Sequence, residues 1–377
     1  MFNRLRKATK TLFILINLLF AIFLIVGCYA YKFDPVKFWF AGLFSLGSFF
    51  FLLALLIFFF FWLFAKPPLI LISTIAIAIC WMPLRNLVKI SLIPNFSFQK
   101  HPKNIRVMSW NVEHFEILSH KKAPWKKEEM FQMINESMPD VACFQEMVAS
   151  DSFPKAINYI PDFLSQLKFK EYHYSYNSKL DFDKNHHFGI MIFSKFPIIN
   201  KHTIQYAPND YNSIFQYVDI VREKDTIRIF NVHLQSLKFD KSNIHFIEKP
   251  TLSNPTDIEK SKHLLDKLKI GFLKRAEQSE RIKKYILQSP YPVIVCGDFN
   301  DVPNSYAYHT IGNGMNNAFA EKGSGIGRTY YSISPTLRID QIFADNNFNV
   351  EQYVRLKKKL SDHFPIIADL YLKKVSE

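Results

Sequence analysis

Acidic side chains are almost missing from the first hundred positions, where Asp34 stands alone against ten Lys and Arg. The whole chain of 377 residues carries 47 Lys and Arg against 33 Asp and Glu, a formal net charge of +14. Beyond residue 100 there remain 37 basic and 32 acidic residues, so most of the excess belongs to the first segment. The rest is only mildly basic, which removes the simplest charge argument for a nucleic-acid partner. Glycine is scarce at 11 residues and cysteine numbers four, so a collagen-like chain and a small disulfide scaffold are excluded. An apolar content of 49% excludes intrinsic disorder. Cys28 and Cys80 lie in apolar segments, and Cys143 and Cys296 lie in short apolar runs that read as buried strands. Their spacing matches no zinc pattern.

Charge is absent altogether over two long runs, 21 residues between Lys10 and Lys32 and 28 between Lys37 and Lys66. A membrane span needs about 20 apolar residues, so both runs are long enough. A third run, 67–84, opens with Pro67-Pro68, which suits a tight turn between spans, and ends with Trp81 and Arg85 near an interface. Residues 1–90 are therefore expected to form a transmembrane region of about three helices, 11–31, 38–65 and 67–84. Two spans plus an interfacial or re-entrant piece are the alternative. Arg4, Arg6, Lys7 and Lys10 favour a cytoplasmic N-terminus. Three spans would then deliver the remainder to the outer face, and two would return it to the cytoplasm. A basic start and an apolar core also fit a cleaved signal peptide, and Ile25-Val26-Gly27-Cys28 resembles a lipoprotein processing site.

Residues 91–104, with Pro94 and Pro102, read as a linker. The part from 105 to 377 reads as one α/β domain. Strand-like runs recur at Ile105–Trp110, Val141–Phe144, Gly189–Phe193, Phe215–Val221, Thr226–His233, Val293–Cys296, Leu337–Phe343 and Phe364–Tyr371. The fourth and fifth flank a short polar turn and predict an antiparallel hairpin. Helical patterns fall at Lys127–Met138, Pro154–Leu167 and Lys262–Leu287. Hairpins mixed with strand–helix alternation favour stacked mixed sheets with helices outside. Segment 236–261, rich in Lys, Asn and Pro, is expected to be a loop beside His233, either bordering the substrate path or forming a flexible insertion.

Polar residues suited to metal and phosphate chemistry stand where strand-like runs stop, with Asp340 inside the seventh run and Asp362 and His363 just before the last. These are Asn111 and Glu113, Gln145 and Glu146, Asn231 and His233, then Asp298 and Asn300, Asp340, and Asp362 and His363. Any one of these is an ordinary turn or strand end. Strand ends of one sheet converge on one rim, however, and six such sites in order point to a single centre. Glu146, a carboxylate after a buried strand, suits a hard cation such as Mg²⁺ or Mn²⁺.

The segments SWNVE (109–113), FQEM (144–147), GIMIFSKFPI (189–198), NVHL (231–234), GDFND (297–301), RIDQIF (338–343) and SDHFPI (361–366) resemble the endonuclease/exonuclease/phosphatase superfamily. The resemblance covers the chain from about residue 105 to 372. It implies a four-layered α/β sandwich of two mixed β-sheets flanked by helices, and a divalent-metal-dependent hydrolase of phosphoesters. Glu146 would be the principal metal ligand, with Asn111 and Asp362 supporting it. Glu113 stands where abasic-site endonucleases have an Asp near the metal. Asp298 would orient or deprotonate the attacking water, and Asn300 and His233 would donate to phosphoryl oxygens. Asn300, two residues on in an extended segment, would face the same side as Asp298. His363, held by Asp340, would be favoured in its charged form and stabilise the transition state. Arg338 is expected to meet a substrate phosphate or to form an ion pair, and His186 and His187 read as loop residues.

The expected substrate is a phosphodiester or phosphomonoester, with a nuclease-type substrate first and a phospholipid or sphingomyelin-type phosphodiesterase as the alternative. A non-catalytic membrane scaffold on the same fold is the remote third reading. The partners are then the phosphoester (nucleic acid or phospholipid) and the bilayer, with no obligate protein partner evident.

Overall fold

The computed structural model describes the chain except residues 1, 92–95, 151–155, 179–180, 182–184, 206–213, 240, 249–254 and 374–377. Its N-terminal part holds α1 (Phe2–Cys28), α2 (Pro35–Phe38), α3 (Ala41–Ala65), α4 (Ile70–Ile79) and α5 (Trp81–Leu87). α1 and α3 are long and apolar enough to cross a membrane. The third apolar run is not one helix. Its two parts, Pro67–Ile79 and Trp81–Leu87, meet at 71° and make a third crossing only if the bent pair is one span. Pro83 explains the break: it has no N–H for the carbonyl of Ile79, and its ring would clash there. The Tyr29 hydroxyl donates to that carbonyl instead, at 2.7 Å.

The remaining strands are β1 (Asn104–Asn111), β2 (Val141–Ala149), β3 (Glu171–Tyr176), β4 (His187–Ser194), β5 (Ile198–Gln205), β6 (Ile214–Arg222), β7 (Asp225–His233), β8 (Val293–Asp298), β9 (Met315–Asn317), β10 (Asp340–Asp345), β11 (Phe348–Arg355) and β12 (Ile366–Leu372). The helices are α6 (Pro124–Ser137), α7 (Ile160–Gln166), α8 (Lys241–Glu248), α9 (Pro255–Leu287), α10 (Tyr306–Gly312) and α11 (Ala318–Lys322). The strands form two six-stranded sheets, ordered β11-β12-β1-β2-β4-β3 and β5-β6-β7-β8-β10-β9. Both are mixed: β1–β2 and β7–β8 pair in parallel, and the other ladders are antiparallel.

Period-2 alternation assigns each strand's side chains to two cores. Ile105, Val107 and Cys143 face Ile229, Ile294 and Cys296 between the sheets. Met108, Trp110 and Phe144 pack outward with Phe131, Ile134 and Phe163 of α6 and α7. Phe230, Val232 and Val295 pack outward with Ile282 and Ile286 of α9 and Tyr308 of α10. The result is the expected four-layered sandwich. Segment 236–261 is not a loop throughout, since α8 lies within it and α9 starts at Pro255; residues 240 and 249–254 lie outside the described residues.

Arg106 and Asp369, opposite one another on β1 and β12, form a wholly buried ion pair, Nε to Oδ1 2.7 Å and Nη2 to Oδ2 2.9 Å. Arg106 also donates to the carbonyls of Phe98, Ser137 and Ser97. Removing one partner leaves an uncompensated buried charge, so Asp369→Asn should cost about 3–5 kcal/mol. Denaturant unfolding of the full chain in detergent would read this, and a loss under about 1 kcal/mol would contradict it.

The sheets sit directly on the helical bundle. Ser45 of α3 donates to the carbonyl of Pro303 at 3.4 Å, and the Asn304 amide donates to that of Pro83 at 3.0 Å. His309 stacks on Tyr31 with ring centroids 3.5 Å apart. Arg338 is buried, lies 3.7 Å over the Phe319 ring and donates to the carbonyls of Asn86, Leu87 and Ile326. The expectation that Arg338 meets a phosphate or an ion-pair partner is therefore corrected: it fastens the C-terminal end of α5 to the domain.

Candidate active site

Strand register brings the singled-out residues together. On the second sheet His233 of β7 pairs with Asp298 of β8, and Asp298 pairs with Asp340 of β10. On the first sheet Asn111 of β1 pairs with Gln145 of β2. At Gln145-Glu146 the β2–β4 ladder slips, and Glu146 takes φ +53°. That bulge breaks the alternation, so Gln145 and Glu146 need not face opposite sides. Gln145 is buried and donates to Asn231 at 2.7 Å, while Glu146 faces a cavity. The loop before β12 is tied back to β1, because Ser361 donates to the Asn111 carbonyl (2.7 Å) and Trp110 Nε1 to that of His363 (2.9 Å).

Asn111, Glu146, Asp298, Asn300, Asp362 and His363 all line one cavity of about 420 Å³. Asp298 is buried; its Oδ2 accepts from Asn111 Nδ2 at 3.1 Å and lies 3.7 Å from Nε2 of both His233 and His363. Asp340 Oδ2 accepts from His363 Nδ1 at 2.8 Å, which leaves Nε2 directed at Asp298 and, at 4.0 Å, at Asp362 Oδ1. Asp298, Asp340 and His363 form a group tight enough to hold a cation. Asp340 already accepts the imidazole N–H, however, so we read it as orienting His363 rather than ligating. Glu113 accepts the N–H of Asp362 at 3.1 Å and therefore stands beside that residue.

Two expectations need correction. Asn300 does not extend from Asp298: it has φ +50°, its N–H donates to Asp298 Oδ1 at 2.8 Å, and its amide donates to the Leu234 carbonyl at 3.0 Å. The pair is a side-chain-closed turn, and Asn300 reaches the cavity from it. His233 is 2% exposed and stands behind Glu146 (3.7 Å) and Asp298 rather than in the cavity wall. His187 is bound to Asp181 Oδ2 at 2.7 Å.

The electrostatics are those of crowded carboxylates. Burial, then the Asp362 carboxylate, pushes Glu146 up to about 7. Burial also pushes Asp298 up to about 7, with His363 opposing. Burial and Asp362 raise Glu113 as well. Burial opposes a charged His363, yet Asp340 and Asp298 overcome it and hold this imidazole well above its ordinary value. Acidic oxygens confined at one rim, with an imidazolium as their nearest compensation, are a donor set that fits a hard divalent cation.

Sequence reasoning did not find Tyr330, whose ring lies 5.0 Å from that of His363 in the cavity wall, or Thr329, whose hydroxyl accepts from the N–H of Ile339 and Asp340. It also missed Arg275, which holds Asp301 of the GDFND run at 3.1 Å. Gly297 has φ +148°, and a Cβ there would lie 1.9 Å from the Val232 carbonyl oxygen. Gly297→Ala should thus force β8 off β7, costing about 1–3 kcal/mol and displacing Asp298. Parallel thermal-melting and turnover assays would show both losses, and parental values in both would contradict the argument.

Residues 108–363 match the model of the Endonuclease/Exonuclease/phosphatase family, and residues 10–87 match a domain of unknown function. No curated protein matches the chain. Among solved structures, an endonuclease/exonuclease/phosphatase family protein from Bacteroides thetaiotaomicron is similar at TM-score 0.51 and 18% identity, over 73% of this chain and 100% of that one. The human Nocturnin catalytic domain with bound sulfate gives 0.49 and 18%, over 75% and 100%. A humanized D. rerio TDP2 gives 0.48 and 14%, over 71% and 99%.

Proposed function

We propose that this chain, which belongs to the endonuclease/exonuclease/phosphatase family, is a membrane-anchored, divalent-metal-dependent phosphoesterase whose centre is the cavity between Glu146, Asp298 and His363. The observation that carries the reading is the convergence of Asn111, Glu146, Asp298, Asn300, Asp362 and His363 from four separate segments on that one cavity. Residues 1–90 act as the anchor, 91–104 as the connection and 105–377 as the catalytic domain. Three crossings would place this domain outside the cytoplasm, with Arg4, Arg6, Lys7 and Lys10 inside.

Glu146 would hold the cation, Mg²⁺ or Mn²⁺, with Asn111, Asp362 and Glu113 at its margin, and the cation would supply positive charge to neutralise that on the phosphoryl oxygens. Asp298 orients the attacking water and takes its proton. Asn300 donates to a non-bridging oxygen, and His363, fixed by Asp340, stabilises charge on the phosphoryl group through Nε2. His233, behind Glu146 and Asp298 at 3.7 Å from each, supports these two carboxylates from the protein side. Water adds to phosphorus, one ester P–O bond breaks, and the leaving oxygen gains a proton.

Calorimetric titration of the detergent-solubilised full chain with Mn²⁺ tests the metal assignment. Saturable binding is expected, weakened about 10-fold or more by Glu146→Gln, since losing a ligand should cost at least what losing a ligand's partner does. A flat titration of the parent would overturn it.

A further inference from the structure

The cavity does not end at the catalytic groups. Beyond them its wall is built of Leu237, Ile247, Leu264, Leu268 and Ile333, and it closes on Leu46. Ile247 comes from α8, and Leu264 and Leu268 are one turn apart on α9. Leu46 belongs to α3, a helix apolar enough to cross a membrane, and lies about 8 Å along that helix from its first residue. The adjacent Ser45 is bonded to Pro303, and Gly42 lies so close to Phe272 of α9 that a Cβ would come 2.7 Å from its ring. The spanning helix is thus part of the active-site wall. Among the described residues lining the cavity, the Lys and Arg side chains are Lys238 and Arg275, and Arg275 is committed to Asp301.

We propose that the substrate is a membrane lipid phosphoester, taken up with its phosphate at Asp298 and His363 and its hydrocarbon chain along Leu264 and Leu268 toward Leu46. This deepens the phosphoesterase reading and rests on it. A nucleic-acid strand needs cations spaced along a groove and aromatic platforms for its bases. Here Lys238, with Arg275 held by Asp301, and the rings of Phe239 and Tyr330 are set among Leu and Ile that run from a carboxylate centre to a membrane helix, which is not a row of cations along a groove. This wall matches an amphiphile, whose chain gains by leaving water and whose head must reach a polar, metal-binding end. With α3 in a bilayer, a cavity wall that includes Leu46 near the start of that helix would let a lipid reach the site without crossing water.

The test uses the full chain in phosphatidylcholine nanodiscs with Mn²⁺. The probes are methyl and octyl 4-nitrophenyl phosphate as monomers, and supercoiled plasmid. Each buried methylene is worth about a factor of four, so kcat/KM for the octyl ester should exceed that for the methyl ester by at least about 10-fold. Leu268→Asn should reduce this ratio toward one. Because the readout is a ratio within each protein, partial misfolding of the variant does not mimic it. Equal rates for the two esters would overturn the lipid assignment while leaving the phosphoesterase reading intact. A preference for octyl that Leu268→Asn leaves unchanged would reflect partitioning into the disc and also overturn it, as would efficient plasmid nicking beside weak hydrolysis of both esters. Hydrolysis of none of the three would overturn the phosphoesterase reading itself.

Discussion

Asp298→Asn is expected to lower kcat on a simple phosphodiester by about 10²–10⁴-fold, the usual worth of a general base. The side chain is buried at the junction of both sheets, accepting from Asn111 and from the Asn300 N–H and standing 3.7 Å from two imidazoles. The amide is isosteric and keeps one acceptor oxygen for the Asn300 turn. It cannot take a proton from water. Its NH₂ would also point a donor at Asn111 Nδ2 or at His363, so a modest local rearrangement is expected within an intact fold. Circular dichroism and the unfolding midpoint should stay close to the parent while turnover collapses. Turnover within a factor of two of the parent would remove Asp298 from the chemistry.

His363→Gln is the second large effect, about 10²–10³-fold in kcat, the loss typical when one donor to a developing oxyanion is removed. Asp340 is wholly buried and accepts from Nδ1, which fixes the ring and favours its charged form. Gln can still donate a hydrogen bond but carries no charge. If stabilising charge on the phosphoryl group is the role of His363, kcat falls and KM moves little. A variant that raises KM and leaves kcat unchanged would show instead that His363 only binds the ground state.

The strands that could be read from the sequence and those that could not differ in one respect. β1, β2, β8 and the β6–β7 hairpin are interior strands, covered on both faces, and so appear as short apolar runs such as VIVCGD. The four unread strands, β3, β5, β9 and β11, are the four sheet edges. β5 reads IINKHTIQ and is mostly exposed, so its sequence is that of a polar loop. The third apolar run read as continuous because composition alone gives no weight to Pro83. The rim was legible because Asn111, Glu146, His233 and Asp298 lie at the ends of apolar runs, Asp340 and His363 stand at or before the start of others, and such strand ends converge. The Asn300 turn and the depth of His233 were not, since both depend on a positive φ and on a neighbouring sheet. Nor was the apolar half of the cavity, whose Leu46, Leu268 and Ile333 are separated by most of the chain and share no motif.

The most direct test of the metal-dependent phosphoesterase is turnover of bis(4-nitrophenyl) phosphate by the detergent-solubilised full chain, with Mn²⁺, after EDTA, and after Mn²⁺ is restored. The parent should hydrolyse it only with metal and recover on restoration, while Asp298→Asn stays inactive throughout. Hydrolysis that survives EDTA, or that Asp298→Asn retains, would contradict the account.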